Sequence, residues 1–287
     1  MGKKFGQHFL HDRHVLERIA ATVACRPGDH VLEVGPGKGP LTAQLLATGA
    51  TVTAVEIDPA MLPGLENRFG DNPRFRLIAK DILKTSLDPA DLFASPQPYL
   101  VAANIPYNIT SPLLFRFLAH RRHLTRVVLM VQLEVAKRMA AMPSDGKDYG
   151  SLSVALAAGW RSRLLFQVPP GAFHPPPKVH SAVVALEAKP AIMPPEDEAR
   201  YLDHVQKLFS KRRKRMDTTL HGMYGGAKKK EPKPTNGAGK QKPSANQQYP
   251  HEEAWQRVDE RIAGRRPEAL TPEEHLAVFQ MIRDMGA

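Results

Sequence analysis

Asn104, Ile105, Pro106 and Tyr107 follow directly on a short apolar run, Tyr99–Ala103. An amide side chain, a backbone carbonyl, a proline and an aromatic ring in that order suit one reaction. The exocyclic amine of adenine is a poor nucleophile, because its lone pair is delocalised into the ring. The Asn104 side-chain oxygen and the Ile105 carbonyl can each accept one of the amine's N–H bonds. That biases the nitrogen towards sp³ and aims its lone pair at a methyl group. Pro106 stiffens the turn and brings no competing N–H. Tyr107 can stack on the base. A site of this kind works by positioning and electrostatics rather than by a strong general base.

A second constellation lies upstream. Gly35, Gly37 and Gly39 stand between an apolar run, Val31–Val34, and a helical stretch, Leu41–Ala47. Glycines at a strand-to-helix turn let the backbone pass close to a ligand and tolerate positive φ. The spacing is not the dinucleotide fingerprint, since the third glycine comes one residue early and Pro40 follows. Glu56 ends the next strand, where a carboxylate can accept hydrogen bonds from both hydroxyls of a ribose. Asp81 sits just past the third strand, within reach of an adenine amino group. A nicotinamide dinucleotide would want a pyrophosphate partner and a substrate-side His or Lys. S-adenosylmethionine carries a sulfonium and no phosphate, so acids and carbonyls suit it. The Asn104–Tyr107 motif decides for S-adenosylmethionine.

Several elements must hold these residues. Strands at Val31–Val34, Thr51–Glu56 and Arg74–Ala79 alternate with helices at 41–47 and 59–69. Tyr99–Ala103 and Val127–Val131 are nearly continuous apolar runs, as buried parallel strands require. Helices are expected at Pro112–His120 and Leu133–Ala141, and further strands at Ser151–Gly159 and Ala182–Leu186. This alternation, up to about residue 131, predicts a doubly wound α/β sheet. With the cofactor read above, residues 1–188 are expected to form an α/β domain with a Rossmann-like S-adenosylmethionine-dependent methyltransferase sheet. Pro190, Pro194 and Pro195 then break the pattern. Residues 189–287 read as a small α-helical domain, with helices at Glu196–Leu220, Glu252–Ile262 and Pro272–Met285. Residues 225–248 contain no large apolar side chain. They are expected to form a flexible basic loop, with outer limits near 222–250. Thr271, Pro272 and Glu274 form an N-capping sequence.

The composition narrows the partners. The 287 residues are 42% hydrophobic and 24% charged, which allows a true core and excludes global disorder. The net charge is +11, and eleven Lys and Arg against two acids lie between residues 210 and 242. So concentrated an excess points to a nucleic acid, and Arg212, Arg213 and Arg215 are the candidate RNA contacts. The single cysteine, Cys25, excludes an internal disulfide and fits a reducing compartment. The apolar stretches are too short to span a bilayer, and Glu17 and Arg18 interrupt any signal-peptide pattern. Gly6 stands where N-myristoylation wants Ser or Thr. No metal is expected: His120 and His123 read as surface residues. Trp160, Trp255 and the methionines read as packing.

At this point the chain resembles the small-subunit (16S) ribosomal RNA adenine N6,N6-dimethyltransferases. The matching motifs are FGQHFLHD (5–12), VLEVGPGKGPLT (31–42), VEID (55–58), KDIL (80–83), ANIPYNITSPLLF (103–115), MVQLEVAKRM (130–139), YGSLSV (149–154) and VPPGAFHPPPKVHSAVV (168–184). FSKRRK (209–214) and RPEALT (266–271) match the family's C-terminal domain. The resemblance implies dimethylation of two adjacent adenosines in the 3′-terminal hairpin loop of small-subunit rRNA, with a part in small-subunit biogenesis. It implies S-adenosylmethionine contacts at His8, Leu10, Gly35, Glu56, Asp81 and Asn104. It makes Asn104, Tyr107 and Phe173 the catalytic group, with Phe173 covering the target base opposite Tyr107. A cytoplasmic monomer acting on rRNA within an immature 30S particle, away from any membrane, is the expectation. Two features depart from the family pattern: His8 stands where Asn is commoner, and the lysine-rich 225–248 insert is unusually long. Two rivals stay open, a 23S rRNA adenine methyltransferase of the resistance type and a non-catalytic assembly or transcription factor. The intact Asn104–Tyr107 motif, Glu56 and Asp81 argue against lost catalysis.

Overall fold

The computed structural model describes residues 8–190, 193–224 and 260–284. They form two compact units. One comprises the described residues of Met1–Ala141 and Leu156–Pro195, the other those of Met142–Ala155 and Glu196–Ala287.

The first unit is built on one seven-stranded sheet. Its elements begin with β1 (Phe9–Leu10), α1 (Arg13–Val23), β2 (His30–Val34), α2 (Pro40–Ala47), β3 (Thr51–Glu56), α3 (Leu62–Phe69) and β4 (Phe75–Ala79). After a short α4 (Pro89–Leu92) come β5 (Tyr99–Asn104), α5 (Thr110–Ala119), β6 (Leu124–Gln132) and α6 (Leu133–Ala140). Further on are β7 (Trp160–Val168), β8 (Phe173–His174) and β9 (Ser181–Ala188), preceded by α7 (Ser151–Ala157), most of which belongs to the second unit. The strand order is β4-β3-β2-β5-β6-β9-β7. The pairs from β4 to β6 are parallel, and β9 joins β6 and β7 antiparallel. β2 is buried along its whole length, which is why it is apolar apart from His30 and Glu33. Burying a Val or Leu such as Val31 or Leu32 is worth about 1.5–3 kcal/mol, and both have no exposed surface.

The chain leaves β2 towards β3 on one side and returns to β5 on the other. That reversal opens a crevice at the carboxyl ends of β2 and β5, the usual ligand position in an open α/β sheet. β1 and β8 form a separate two-stranded ribbon, pairing Phe9 with His174 and Leu10 with Phe173. His11 and Asp12 N–H groups both donate to the Ala172 carbonyl, so the chain before α1 is held against this ribbon.

Two expectations from the sequence are corrected. Residues 151–157 are a helix, not a strand. The alternation of Leu152, Val154 and Leu156 mimics a period of two. Alanines at 155 and 157 favour helix, and the Ser153 hydroxyl accepts from the Gly150 N–H at the first turn. The single helix expected over Glu196–Leu220 is two, α8 (Pro195–Ser210) and α9 (Met216–Tyr224). The break falls on Lys211–Arg215, where consecutive like charges disfavour one continuous helix. The Met216 N–H donates outside the helix, to the Arg265 carbonyl, at 2.8 Å. β7 matches no strand expected from the sequence.

The second unit has its own core of Leu208, Met216, Leu220, Leu270, Val278 and Ile282. Residues 142–155 belong to it although the sequence places them inside the first unit. The Tyr149 hydroxyl donates to the Leu270 carbonyl at 2.7 Å. The helix Pro272–Asp284 opens with the expected capping box. The Thr271 N–H donates to Glu274 Oε2 at 2.7 Å, and the Glu274 N–H donates to Thr271 Oγ1 at 3.2 Å. The basic loop over 225–248, Trp255 and most of the helix expected at Glu252–Ile262 lie outside the described residues. Among the described residues, no helix is long and apolar enough to cross a membrane.

Candidate active site

The crevice is a cavity of about 820 Å³. Its walls include Gly35, Glu56 and Asp81 from the ends of β2, β3 and β4, and Asn104 and Tyr107 from the end of β5. The β1–β8 ribbon supplies His8, Leu10 and Phe173. All the residues assigned to cofactor or base from the sequence therefore line one cavity within the first unit.

The glycine turn is required by backbone geometry. Gly35, Gly37 and Gly39 have φ of 67°, 58° and 76°. A Cβ on Gly39 would also sit 2.5 Å from the Phe69 ring. Glu56 is buried and spans the turn. Its Oε2 accepts from the Gly37 N–H at 3.0 Å, and its Oε1 accepts from the N–H groups of Ile57 (3.0 Å) and Asp58 (2.9 Å). The carboxylate is thus fixed, with lone pairs left for a further donor. Asp81 caps its own short turn: Oδ1 accepts from the Leu83 N–H at 2.9 Å.

Asn104 is oriented by the ribbon. Its Nδ2 donates to the His8 carbonyl at 3.3 Å, which leaves Oδ1 as an acceptor. The Ile105 N–H donates to the Met130 carbonyl at 3.2 Å, pinning the Asn104–Tyr107 turn to β6. The Tyr107 hydroxyl shares a hydrogen bond of 2.9 Å with Ser181 Oγ on β9. The His8 ring bonds the Pro175 carbonyl through Nδ1 at 2.7 Å and lies 6.1 Å from the Tyr107 ring. Phe173 is buried in the main core, where it pairs with Leu10 across the ribbon.

Three contributors went unnoticed in the sequence. Glu33 is fully buried, lines the cavity and accepts from Thr42 Oγ1 at 2.6 Å. Burial, reinforced by nearby Glu56 and opposed by the Thr42 hydrogen bond, pushes its carboxyl up to about 7. An acid inside an otherwise apolar strand was the available signal. Ser181 left no such signal, because Tyr107 lies 74 residues away, and neither did Arg116, whose guanidinium donates to the Ile82 and Thr85 carbonyls just after Asp81.

The three arginines assigned to RNA belong to the second unit and line no part of this cavity. Arg212 Nε donates to Glu268 at 2.7 Å, and Arg215 Nη2 donates to Asp217 at 2.6 Å. Arg213 is exposed, as are Lys211 and Lys214. Arg215 is exposed as well, with its guanidinium engaged by Asp217.

Residues 1–252 match the family model described as ribosomal RNA adenine dimethylase. The ribosomal RNA small subunit methyltransferase A of Geobacter metallireducens is 47% identical over 215 residues, 74% of this chain and 77% of that protein. A crystal structure of the 23S rRNA methyltransferase ErmE superposes with a TM-score of 0.67 at 25% identity, covering 96% of this chain and 99% of that one. A dimethyladenosine transferase from Plasmodium falciparum shares the fold with a TM-score of 0.75 at 24% identity, covering 97% and 98%.

Proposed function

The chain belongs to the ribosomal RNA adenine dimethylase family, and from that premise we propose that it dimethylates N6 of two adjacent adenosines in the 3′-terminal hairpin loop of small-subunit rRNA, with S-adenosylmethionine as methyl donor. The observation that carries this reading is the Asn104 amide. Its N–H is occupied by the His8 carbonyl, so its oxygen is the group left to accept from an adenine amine. The higher identity to a small-subunit relative, 47% against 25% for a 23S enzyme, favours the small-subunit substrate.

The cavity suits the cofactor by its donor set. Glu56 would accept from the ribose, Asp81 from the adenine amino group, and the turn at Gly35 would allow close backbone approach. His8, Leu10 and Asn104 would complete the wall. The bound cofactor supplies an electrophilic methyl on a sulfonium. The chain's own residues do the rest. In the first transfer Asn104 Oδ1 and the Ile105 carbonyl hold the amine's two N–H bonds and turn its lone pair outward. The methylated nitrogen then gives one proton to solvent, with S-adenosylhomocysteine as the other product. In the second transfer one N–H is left for these acceptors to hold. Tyr107 and Phe173 hold the base between rings, which requires the adenosine to leave its stack. No residue has to carry a proton in the transition state, so rate comes from orientation. The same reading puts the protein in the cytoplasm, as a monomer working on an immature 30S particle. Arg212, Arg213 and Arg215 would contact its RNA.

The deciding experiment maps N6,N6-dimethyladenosine in rRNA from cells with and without the protein. Two adjacent dimethylated adenosines near the 3′ end of small-subunit rRNA should depend on it. Modification only in large-subunit rRNA, or none in either, overturns the reading.

A further inference from the structure

We propose that Arg116 is a positioning residue that sets the cofactor's base selectivity, by holding the Asp81 turn in the geometry that reads an adenine amino group. This rests on the reading above, in which Asp81 meets the adenine. Arg116 lies on α5, the helix that begins three residues after Tyr107, and it lines no part of the cavity. Its Nη1 donates to the Ile82 carbonyl, and its Nη2 donates to the Thr85 carbonyl at 2.6 Å. The Ile82 carbonyl closes the short 3-10 turn Ile82–Lys84 after Asp81 by accepting the Thr85 N–H at 3.3 Å, and the Thr85 carbonyl lies just past that turn's end. Arg116 adds a charged donor to both carbonyls, and a cation at the carbonyl end of a turn is electrostatically favoured. A planar guanidinium can reach two carbonyls at once, which an ammonium cannot do with the same geometry.

Asp81 is gripped from the front of the same turn. Its Oδ1 accepts from the Leu83 N–H, and its carbonyl accepts from the Lys84 N–H (2.9 Å) and Thr85 Oγ1 (2.8 Å). With Oδ1 so used, Oδ2 is the oxygen left for a ligand. Its direction depends on the turn staying closed, and Arg116 is the side chain that closes it from behind. The guanidinium thereby ties the adenine-reading turn to the helix of the Asn104–Tyr107 motif.

The test compares S-adenosylhomocysteine with its inosine analogue, in which a carbonyl oxygen replaces the 6-amino group. Calorimetric affinities for both are measured on the full chain and on Arg116→Ala, Arg116→Lys and Asp81→Ala. The full chain should favour the adenosyl ligand by about tenfold to a hundredfold, the worth of one hydrogen bond to a charged group. Asp81→Ala should bring that ratio to near one. Arg116→Ala should lower it towards the same value, and Arg116→Lys should fall between. A general loss of stability would weaken both ligands equally and leave the ratio intact, so an unchanged ratio in Arg116→Ala overturns the proposal. If Arg116→Ala does not fold, Arg116→Lys decides by the same ratio. Failure of the full chain to bind S-adenosylhomocysteine, or an unchanged ratio in Asp81→Ala, would instead strike the underlying reading.

Discussion

At the scale of single residues, two side chains combine structural and chemical duties. Glu56 would meet a ribose, and it also holds three backbone N–H groups, one of them from the glycine turn. Glu56→Ala should therefore lose more cofactor affinity than one hydrogen bond to a charged group, about 1.5–3 kcal/mol. Glu56→Gln keeps an acceptor oxygen and should recover part of it. Calorimetry with S-adenosylmethionine that finds both variants at full affinity would remove Glu56 from the site. On the proposed reading Asn104 would hold the reacting amine itself. Asn104→Ala should slow single-turnover methyl transfer by about 10²-fold, the cost of one preorganised polar group in a transition state. RNA affinity should stay within about twofold, because phosphate contacts dominate it.

At the scale of elements, the base pocket depends on contacts between strands that are far apart in sequence. Ser181 on β9 holds the Tyr107 hydroxyl after β5. Ser181→Ala and Tyr107→Phe delete the same bond, so each should raise the KM for RNA alike, by about 0.5–1.5 kcal/mol. The double variant should be no worse than either single one. Additive effects would show that the two residues act separately. The packing of α3 on the glycine turn makes a second case. Gly39→Ala adds a Cβ at 2.5 Å from Phe69 and imposes positive φ on alanine. A destabilisation of about 1–3 kcal/mol in a denaturant melt is expected from overpacking alone.

At the scale of the whole molecule, pH acts on the two units in opposite directions. Glu33 in the first unit titrates near 7 when folded, against 4.5 ordinarily. Between those values the folded state keeps a proton that the unfolded chain has lost, so stability falls as pH rises and the fall is complete above 7. The full difference is about 3 kcal/mol. Glu33→Gln should flatten that slope. In the second unit, burial pushes His204 down to about 3, with His275 adding to the effect. Burial likewise lowers His275 to about 4, against the pull of its bond to the Pro267 carbonyl and of Glu274. There the unfolded chain takes up protons first, so stability falls as pH drops below about 6.5. Hydrogen exchange at pH 5 and pH 8 should show Val278 less protected in acid and Val31 less protected in base. A uniform response of both would contradict these assignments. Charge adds a third expectation. Neutralising exposed Arg213, Lys211 or Lys214 should reduce the salt slope of binding to small-subunit particles by about 0.7–0.9 for each phosphate that is no longer neutralised. Arg212→Ala should also lower stability, because it removes the nearer of the two arginines paired with half-buried Glu268, leaving Arg266 at 3.8 Å. A slope that stays unchanged through all of these substitutions would make the basic segment a solvated surface.

The glycine turn, the Asn104–Tyr107 motif and most of the alternation of strand and helix were legible from residue order alone. Each is a local signal: three glycines at a turn, an amide at a strand end, an apolar run with a period set by the backbone. The capping box at Thr271 and Glu274 was legible for the same reason, since its partners are three residues apart. Residues 151–157 misled, because a short apolar alternation also fits a helix once alanine and a serine cap favour it. The basic run at 211–215 was visible as charge, but the break it makes between two helices was not. Other features belong to the tertiary structure alone. The passage of residues 142–155 into the second unit is one. The clamp of Arg116 on the Asp81 turn, the anchoring of Tyr107 by Ser181 and the fixing of Asn104 by the His8 carbonyl are others. Their partners stand 31, 34, 74 and 96 residues apart. Short-range propensity carries no information over such separations, and only the assembled sheet, with its ribbon and helices in place, brings those atoms within hydrogen-bonding distance.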